Sequence, residues 1–194
     1  AVSVSEKINN DGFIQVENNG SIIQTNTGAN ENSGSGTYKI KREGNNFANS
    51  YNIWSSPIQN ASLVSTFSGT NPCDIWLFDH TNQTWNHDYA IGFSTTCYGN
   101  PVTFTASDVI VGGDGIMDEA RGYFVPGAAA ATRSYDGKIN NGNITKPVVT
   151  TSLGNNPSWD QDDWNLLGNP YPSALSASAF WTENAVNNSR ITDA

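Results

Sequence analysis

Three acidic residues around a glycine turn are the group in the sequence best suited to binding a cation. Asp114, Asp118 and Glu119 lie in the stretch 113–119, where two glycines favour a tight turn that leaves backbone carbonyls exposed. Carboxylate and carbonyl oxygens are the ligands that Ca²⁺ prefers, although the spacing does not match an EF-hand loop. Two interpretations stay open, a calcium site formed by these residues or a solvated turn. No other cofactor is predicted.

Flat aromatic side chains could carry a second kind of chemistry, stacking on the faces of sugar rings. Trp85 and Trp159 lie beside turns and are predicted to be exposed. Trp54, Trp76 and Trp164 lie in apolar runs and are predicted to be buried, as core tryptophans of a β-rich fold often are. Sugar stacking by Trp85 and Trp159 is therefore one hypothesis, and a purely structural role for the tryptophans is the other.

The sequence carries no local signature of a hydrolase. It has no Gly-x-Ser-x-Gly elbow and no His-Glu-x-x-His pair, the local motifs of serine esterases and zinc proteases. Its two histidines, His80 and His87, lie in one turn-rich segment and are interpreted as solvated loop residues. Nothing marks a pair of carboxylates for glycoside cleavage. We therefore predict that the chain is not an enzyme and has no catalytic residues.

The two cysteines indicate the compartment. Cys73 and Cys97 belong to no Cys-x-x-Cys pair, so a zinc site and a thioredoxin-like site lack support. Two cysteines in an Asn-rich, Lys-poor chain favour one disulfide, formed outside the cytoplasm. Two buried free thiols are the alternative.

Composition and charge exclude two classes of partner. The 194 residues carry 9 basic and 18 acidic side chains, for a net charge of −9. A nucleic-acid-binding protein needs a basic surface to neutralise phosphates, and this chain supplies none. No stretch approaches the roughly 18 consecutive apolar residues of a membrane span. The acidic excess fits a solvated surface, or the recruitment of divalent cations.

Short β-prone runs separated by Asn, Gly and Ser turns predict an all-β fold, a β-sandwich or jelly roll. The candidate strands are Tyr38–Lys41, Tyr51–Trp54, Ile75–Asp79, Thr84–Trp85, Val102–Phe104, Gly122–Val125, Thr132–Tyr135, Lys146–Thr150 and Trp164–Leu167. One short helix is predicted over Ala174–Ala185, with Ser173 as its N-cap.

The first 36 residues form a separate segment in this prediction. Asn9–Val16 and Asn18–Gln24 each place an Asn/Gly turn before a short β-prone run, and the two units follow one another closely. Such a short repeat fits coils of a β-solenoid or a plain hairpin. A polar linker follows over Thr25–Gly36. The predicted domains are 1–36, the entry segment and linker, and 37–194, the sandwich, which could be a fragment of a longer protein.

The stretch Trp164–Leu175 reads W-N-L-L-G-N-P-Y-P-S-A-L. It resembles the signature of β-rich modules in very large proteins secreted by Bacteroidetes such as flavobacteria, typically through the type IX secretion system. Further blocks follow that family's order: Tyr51–Ile58 with its W-S-S-P, Ile75–Asp79 followed by Trp85, Arg121–Val125, and Tyr135–Gly142 with its N-N-G. The resemblance covers roughly 37–181 and implies a surface module that is not itself an enzyme. It departs from the family at Ser176, where the family usually has Asp.

The signature has a physical interpretation of its own. Each proline fixes its own φ and biases its predecessor towards extended backbone, so Asn169–Pro170–Tyr171–Pro172 is a stiff segment. Gly168 permits a sharp turn before it. These five residues are therefore predicted to form a rigid structural corner with a buried Tyr171, in preference to a binding site.

Together these observations predict a non-catalytic structural or adhesive module of an extracellular or cell-surface bacterial protein. It would be part of a stalk, surface layer or filament. Its partners would be other domains or copies of the same protein, or surface glycans. The alternative is a carbohydrate-binding module attached to a polysaccharide-degrading enzyme.

Overall fold

The computed structural model describes residues 1–25, 28, 31–44, 50–70, 74–81, 83–86, 96–97, 100–101, 115–127, 132–148 and 164–187. The strands are β1 (Val2–Val4), β2 (Phe13–Val16), β3 (Ile22–Gln24), β4 (Thr37–Glu43), β5 (Tyr51–Trp54), β6 (Trp76–Asp79), β7 (Thr84–Asn86), β8 (Thr96–Cys97), β9 (Asn100–Pro101), β10 (Tyr123–Pro126) and β11 (Thr132–Gly137). The helices are α1 (Leu63–Thr66) and α2 (Ala177–Trp181), and a π-helical turn, Thr182–Asn187, continues α2. The fold is all-β, as predicted.

The N-terminal segment is a parallel coil. β1 pairs with β3 and β2 pairs with β4, both in parallel. Val2 lies beside Ile22 and Phe13 lies beside Thr37, so residues 1–16 form one turn of the coil and residues 21–40 form the next. Parallel pairing supports the solenoid-like interpretation of this segment over the hairpin. The structural repeat is one full turn of the coil, which is more than twice as long as the short repeat predicted from sequence.

Buried amides and glycines hold the two turns of the coil together. The Asn10 side chain donates to the Thr37 carbonyl (3.1 Å) and accepts from the Gly12 N–H (3.0 Å). The Asn10 carbonyl accepts from the Gly36 N–H (2.7 Å). Gly34 has a φ of +95°, and a Cβ there would lie 2.1 Å from the Asn10 carbonyl oxygen. The turns approach closely because glycine has no side chain at this position.

Two sheets enclose one hydrophobic core. The first has the order β11–β4–β2 and the second has the order β5–β10–β6–β7. Alternate residues of each sheet point inward, as in a sandwich. The inward side chains of the two sheets are Val16, Tyr38, Ile40 and Tyr135 in the first and Trp54, Leu77, Tyr123 and Val125 in the second. β2 of the entry segment pairs with β4 beyond residue 36, so the coil and the sandwich share a sheet.

Several local predictions need correction. Lys146–Val148 is not in a strand, since Pro147 has no N–H to donate to a ladder. Among the described residues, Trp164–Leu167 forms no strand, and the β-bridge found there joins Leu167 to Arg121. The predicted strand Val102–Phe104 lies outside the described residues.

The C-terminal helix starts later than predicted. It begins at Ala177, and Ser176 is its N-cap, accepting from the Ala179 N–H at 3.2 Å. Ser173 is held in the preceding corner, where its carbonyl accepts from the Asn169 side chain at 2.6 Å. Ser176 thus takes the capping role that was predicted for Ser173. Within the described part of the chain, no helix is both long and apolar enough to cross a membrane.

Candidate functional site

The first turn of the coil ends in an open apolar surface. A cavity of about 390 Å³ opens there, and its lining is mainly apolar side chains. Its aliphatic members are Val2, Val4, Ile8, Ile14, Val16 and Ile22. Solenoids normally cover such an end with a polar capping turn. In the described part of this chain, the interior of the coil meets solvent at this end.

The backbone at the same end is unpaired on one side. Among the described residues, β1 pairs with β3 alone and β2 pairs with β4 alone. The Val2 N–H donates to Ser21 (2.9 Å), and the Gly12 carbonyl accepts from Thr37 (2.9 Å). Successive peptide groups point to opposite sides of a strand, so the N–H groups of Ser3 and Phe13 face the open side. We name β1 and β2 together the coil edge.

Two large apolar side chains on the coil edge are exposed to solvent. Val2 is 61% exposed and Phe13 is 60% exposed. An exposed apolar edge is a template for pairing with another chain unless charges or bulges protect it. This surface was not predicted from the sequence, because the predicted repeat is shorter than one turn of the coil. The signal that could have found it is the recurrence of β-prone runs and Asn/Ser turns once per full turn of the coil.

A row of aromatic rings crosses the outer face of the second sheet. Tyr51 stacks on Phe124 with centroids 4.3 Å apart and planes within 1°. Trp85 contacts Phe124 at 5.2 Å and Phe78 at 5.2 Å. Tyr51 and Trp85 are each 45% exposed. We name these four residues the aromatic row.

The predicted sugar-stacking pair is described only in part. Trp85 is exposed, as expected, and belongs to the aromatic row. Trp159 lies outside the described residues, so sugar stacking by the pair stays a prediction. Trp54 is buried and Trp76 is half-buried, but Trp164 is 62% exposed, contrary to expectation. The backbone of Trp164 is held at the surface by the side chain of Gln83, which accepts from its N–H (3.0 Å) and donates to its carbonyl (3.1 Å).

The predicted corner is the place where three sequence blocks meet. The buried Asn140 side chain donates to the carbonyls of Ser56 (3.2 Å) and Pro170 (2.9 Å). It thereby joins the W-S-S-P, N-N-G and N-P-Y-P blocks. A Cβ on Gly168 would lie 2.3 Å from the Ser55 Cβ, so only glycine fits between the first and last of these blocks.

The prolines of the corner are buried, but its tyrosine is not fully buried. Pro170 and Pro172 are buried, and the Asn169 side chain accepts from the Tyr171 N–H at 3.1 Å. Tyr171 is half-buried, contrary to the prediction, and its hydroxyl donates to the Gly142 carbonyl at 2.7 Å. Tyr171 lies on the wall of a surface groove.

His80 is buried, which corrects its interpretation as a solvated loop residue. It is 2% exposed, and its Nε2 accepts from the Leu166 N–H at 3.2 Å. Burial lowers the pKa of His80, and the nearby Arg121 lowers it further. The neutral imidazole therefore links the end of β6 to the segment before the corner. His87 lies outside the described residues.

Because burial lowers the pKa of His80, we expect the free energy of unfolding to fall as the pH drops below about 6.5. In that range the unfolded chain binds a proton at His80, whereas the folded protein binds it only at lower pH. His80→Gln keeps an acceptor for the Leu166 N–H and removes the titration. Urea unfolding of both proteins between about pH 8 and pH 5 should show a smaller loss of stability for the variant. Equal losses would contradict the assignment.

The described residues include only some of the predicted metal ligands and one of the two cysteines. Asp118 lies 3.3 Å from Arg121 Nε and 3.4 Å from Lys146 Nζ, so two cations already neutralise its carboxylate. Glu119 is exposed. Asp114 and Cys73 lie outside the described residues, and Cys97 lies in β8. The calcium site and the Cys73–Cys97 bond therefore stay predictions. Within the described residues there is no cluster of three or more metal-ligating side chains.

Comparison with known proteins gives a family but no characterised relative. No curated protein and no solved structure matches the chain. One family model, described as a domain of unknown function (DUF8693), matches residues 1–194. Since that match spans the whole sequence, the chain belongs to the DUF8693 family.

Proposed function

We propose that this chain is a non-catalytic structural module of an extracellular or cell-surface bacterial protein. Its task is to join neighbouring parts of a stalk, surface layer or filament end to end. The partner is the coil of another copy of the same protein. The proposal rests on the coil edge, where the apolar interior of the coil and the unpaired sides of β1 and β2 both face solvent.

The coil edge favours a coil as its partner over other ligands. Its two strands already pair in parallel with the turn behind them, Val2 beside Ile22 and Phe13 beside Thr37. An added turn would satisfy the outward N–H groups of Ser3 and Phe13 and cover the apolar cavity in one step. Burial of apolar surface and strand addition are the two contributions that stabilise such interfaces.

The aromatic row supports contact with a protein in preference to a flat sugar platform. Tyr51 and Phe124 each cover one face of the other's ring, which leaves less ring surface for sugar stacking. The exposed part of the row fits lateral packing against another apolar surface.

A charge placed on the coil edge should prevent self-association. We expect the purified chain to associate with itself at high concentration. Val2→Lys and Phe13→Lys should each raise the dissociation constant of this association by at least about tenfold. Sedimentation equilibrium measures this shift. Val148→Lys and Phe180→Lys are matched controls, because Val148 is 59% and Phe180 is 44% exposed away from the coil edge. A monomer at every concentration, or equal effects of the control variants, would contradict the proposal.

A carbohydrate-binding module is the second candidate. The exposed indole of Trp85 favours it. The coil-edge variants distinguish the two functions, because glycan binding at Trp85 would survive them.

A further inference from the structure

The strand β5 lies at one edge of the second sheet. Among the described residues it pairs with β10 alone, and the two strands are antiparallel. At the end of this ladder the Gly127 N–H donates to the Ser50 carbonyl at 2.7 Å. Successive peptide groups of β10 point to opposite sides, and the Gly122 N–H accordingly points away from β5 and donates to the Leu166 carbonyl at 3.2 Å. These two bonds fix which peptide groups of β5 face its partner.

The same alternation places half of the backbone groups of β5 on its open side. Asn52 and Trp54 lie opposite Val125 and Tyr123, and both follow Ser50 at even spacing, so their N–H and carbonyl groups point towards β10. The N–H and carbonyl groups of Tyr51 and Ile53 therefore point away from β10. The open side of β5 presents two donors and two acceptors in a row.

This edge lacks the features that usually prevent further pairing. Open edges are commonly protected by charged residues or proline, or by being very short. The edge strand β11 of the first sheet carries Arg133 and Asp136, and β7, at the other edge of the second sheet, has three residues. The four residues of β5 read Y-N-I-W, and Tyr51 is 45% exposed and Ile53 57% exposed. An uncharged edge with exposed apolar side chains is suited to pair with another strand.

A groove of about 670 Å³ continues from the end of this edge. Ile53, Trp54 and Ser55 line one side of it, and the coil turn at 18–21, the end of β4 and the corner segment 167–174 line the rest. The volume is in the range of ligand sites in proteins. A strand that pairs along β5 would therefore continue into a groove at the protein surface.

The backbone groups of the edge select a peptide as the ligand. Strand addition satisfies a row of alternating donors and acceptors with the matching row of another backbone. The charges in the groove are already bonded, since the Arg42 guanidinium donates to the Lys41 (2.7 Å) and Pro172 (2.8 Å) carbonyls and the Glu43 carboxylate accepts from the Asn18 side chain (3.0 Å). A guanidinium and a carboxylate that are both bonded favour an uncharged peptide over an acidic or a basic one.

The exposed side chains of the edge indicate the pattern of the peptide. Every second side chain of an added strand would lie beside Tyr51 and Ile53, where aromatic and β-branched residues form favourable cross-strand pairs. The side chains between them would point to the other face of the strand. Apolar residues alternating with small polar residues fit both faces.

We propose that the open edge of β5 binds an extended, uncharged peptide segment of another protein, in which β-branched and small polar residues alternate. Its backbone pairs with the outward N–H and carbonyl groups of Tyr51 and Ile53, and its end lies in the groove. This binding site goes beyond the joining of coils and uses none of the coil-edge residues.

The test adds a synthetic peptide, acetyl-Thr-Val-Ser-Val-Thr-Val-amide, at millimolar concentration to the full chain and follows the backbone amides by two-dimensional NMR. We expect the signals of Tyr51 and Ile53 to shift saturably. Their amide exchange should slow by at least about tenfold at saturation. The amides of Asn52 and Trp54, which already bond to β10, should keep their exchange rates.

Two controls separate strand pairing from contact through side chains alone. The same peptide with every backbone nitrogen methylated keeps its side chains but cannot donate, and it should not bind. Tyr51→Lys and Ile53→Lys should each raise the dissociation constant of the unmethylated peptide by at least about tenfold. Val148→Lys should leave it unchanged, because Val148 is 59% exposed but lies outside β5 and the groove.

Four outcomes overturn the proposal. The first is the absence of any shift at Tyr51 and Ile53, and the second is equal binding of the methylated peptide. The third is a shift confined to Ser3 and Phe13, which would place the peptide on the coil edge. The fourth is slowing at Tyr51 and Ile53 that depends on protein concentration without peptide, which would make a second copy the partner. Self-association at the coil edge is measured without peptide, so either proposal can fail alone.

Discussion

Gly34→Ala is expected to destabilise the protein by about 3–5 kcal/mol, because it combines backbone strain with a clash. Gly34 has a φ of +95°, and its missing Cβ would lie 2.1, 2.5 and 2.8 Å from the carbonyl oxygen, carbonyl carbon and nitrogen of Asn10. These are backbone atoms of the adjacent coil turn and cannot rotate away. Urea unfolding followed by circular dichroism gives the difference in the free energy of unfolding.

Two other glycines are controls that separate the strain from the clash. Gly69 also has a positive φ, +82°, but its Cβ would meet no atom within 4 Å. Gly69→Ala should therefore lower the free energy of unfolding by about 1–2 kcal/mol, which is the contribution of backbone strain alone. Gly28 has open space and no positive φ, and its replacement by alanine should change stability by less than about 1 kcal/mol. Equal costs at Gly34 and Gly69 would show that the coil turns are not in close contact.

Asn140→Ala is expected to cost about 2–4 kcal/mol, because it leaves two buried carbonyls without their donor. Asn140 is 2% exposed and donates to Ser56 and Pro170, which belong to different motif blocks. No water can easily replace the lost amide in a packed site. Thermal and urea unfolding of the variant would measure the loss.

Asn18 is the matched control for Asn140. Its side chain also makes two hydrogen bonds, both with Glu43 (3.0 and 2.8 Å), but these bonds are exposed to solvent. Asn18→Ala should cost less than about 1 kcal/mol, since water replaces these bonds. If both variants lose the same stability, Asn140 does not hold the corner together.

The strands that could be predicted from sequence are those with a strong local signal. Tyr51–Trp54 is rich in β-prone residues and is followed by Ser55–Ser56–Pro57, and it is a strand in the fold. The predicted strand Thr132–Tyr135 lies within β11. The pairing of β2 with β4 could not be predicted, because a parallel partner on the next turn of the coil leaves no trace in a local pattern. The domain boundary at 36/37 was placed by composition, and it falls between two strands of one sheet.

The burial of single side chains depended on tertiary contacts that no local pattern contains. His80 follows an apolar strand and precedes a polar turn, so its sequence neighbours favoured an exposed position. It is buried because Leu166, distant in sequence, supplies an N–H to its ring. Trp164 shows the opposite error. It was predicted to be buried because its sequence neighbours are apolar, but the Gln83 side chain holds its backbone at the surface.

Amide hydrogen exchange at the coil edge tests the joining function most directly. The N–H groups of Ser3 and Phe13 face the open side of β1 and β2, so another coil turn would protect them. We predict that their exchange slows as protein concentration rises, while exchange in Thr84–Asn86 of β7, another edge strand, does not change. Exchange at Ser3 and Phe13 that is independent of concentration, or slowing that is equal in β7, would contradict the account.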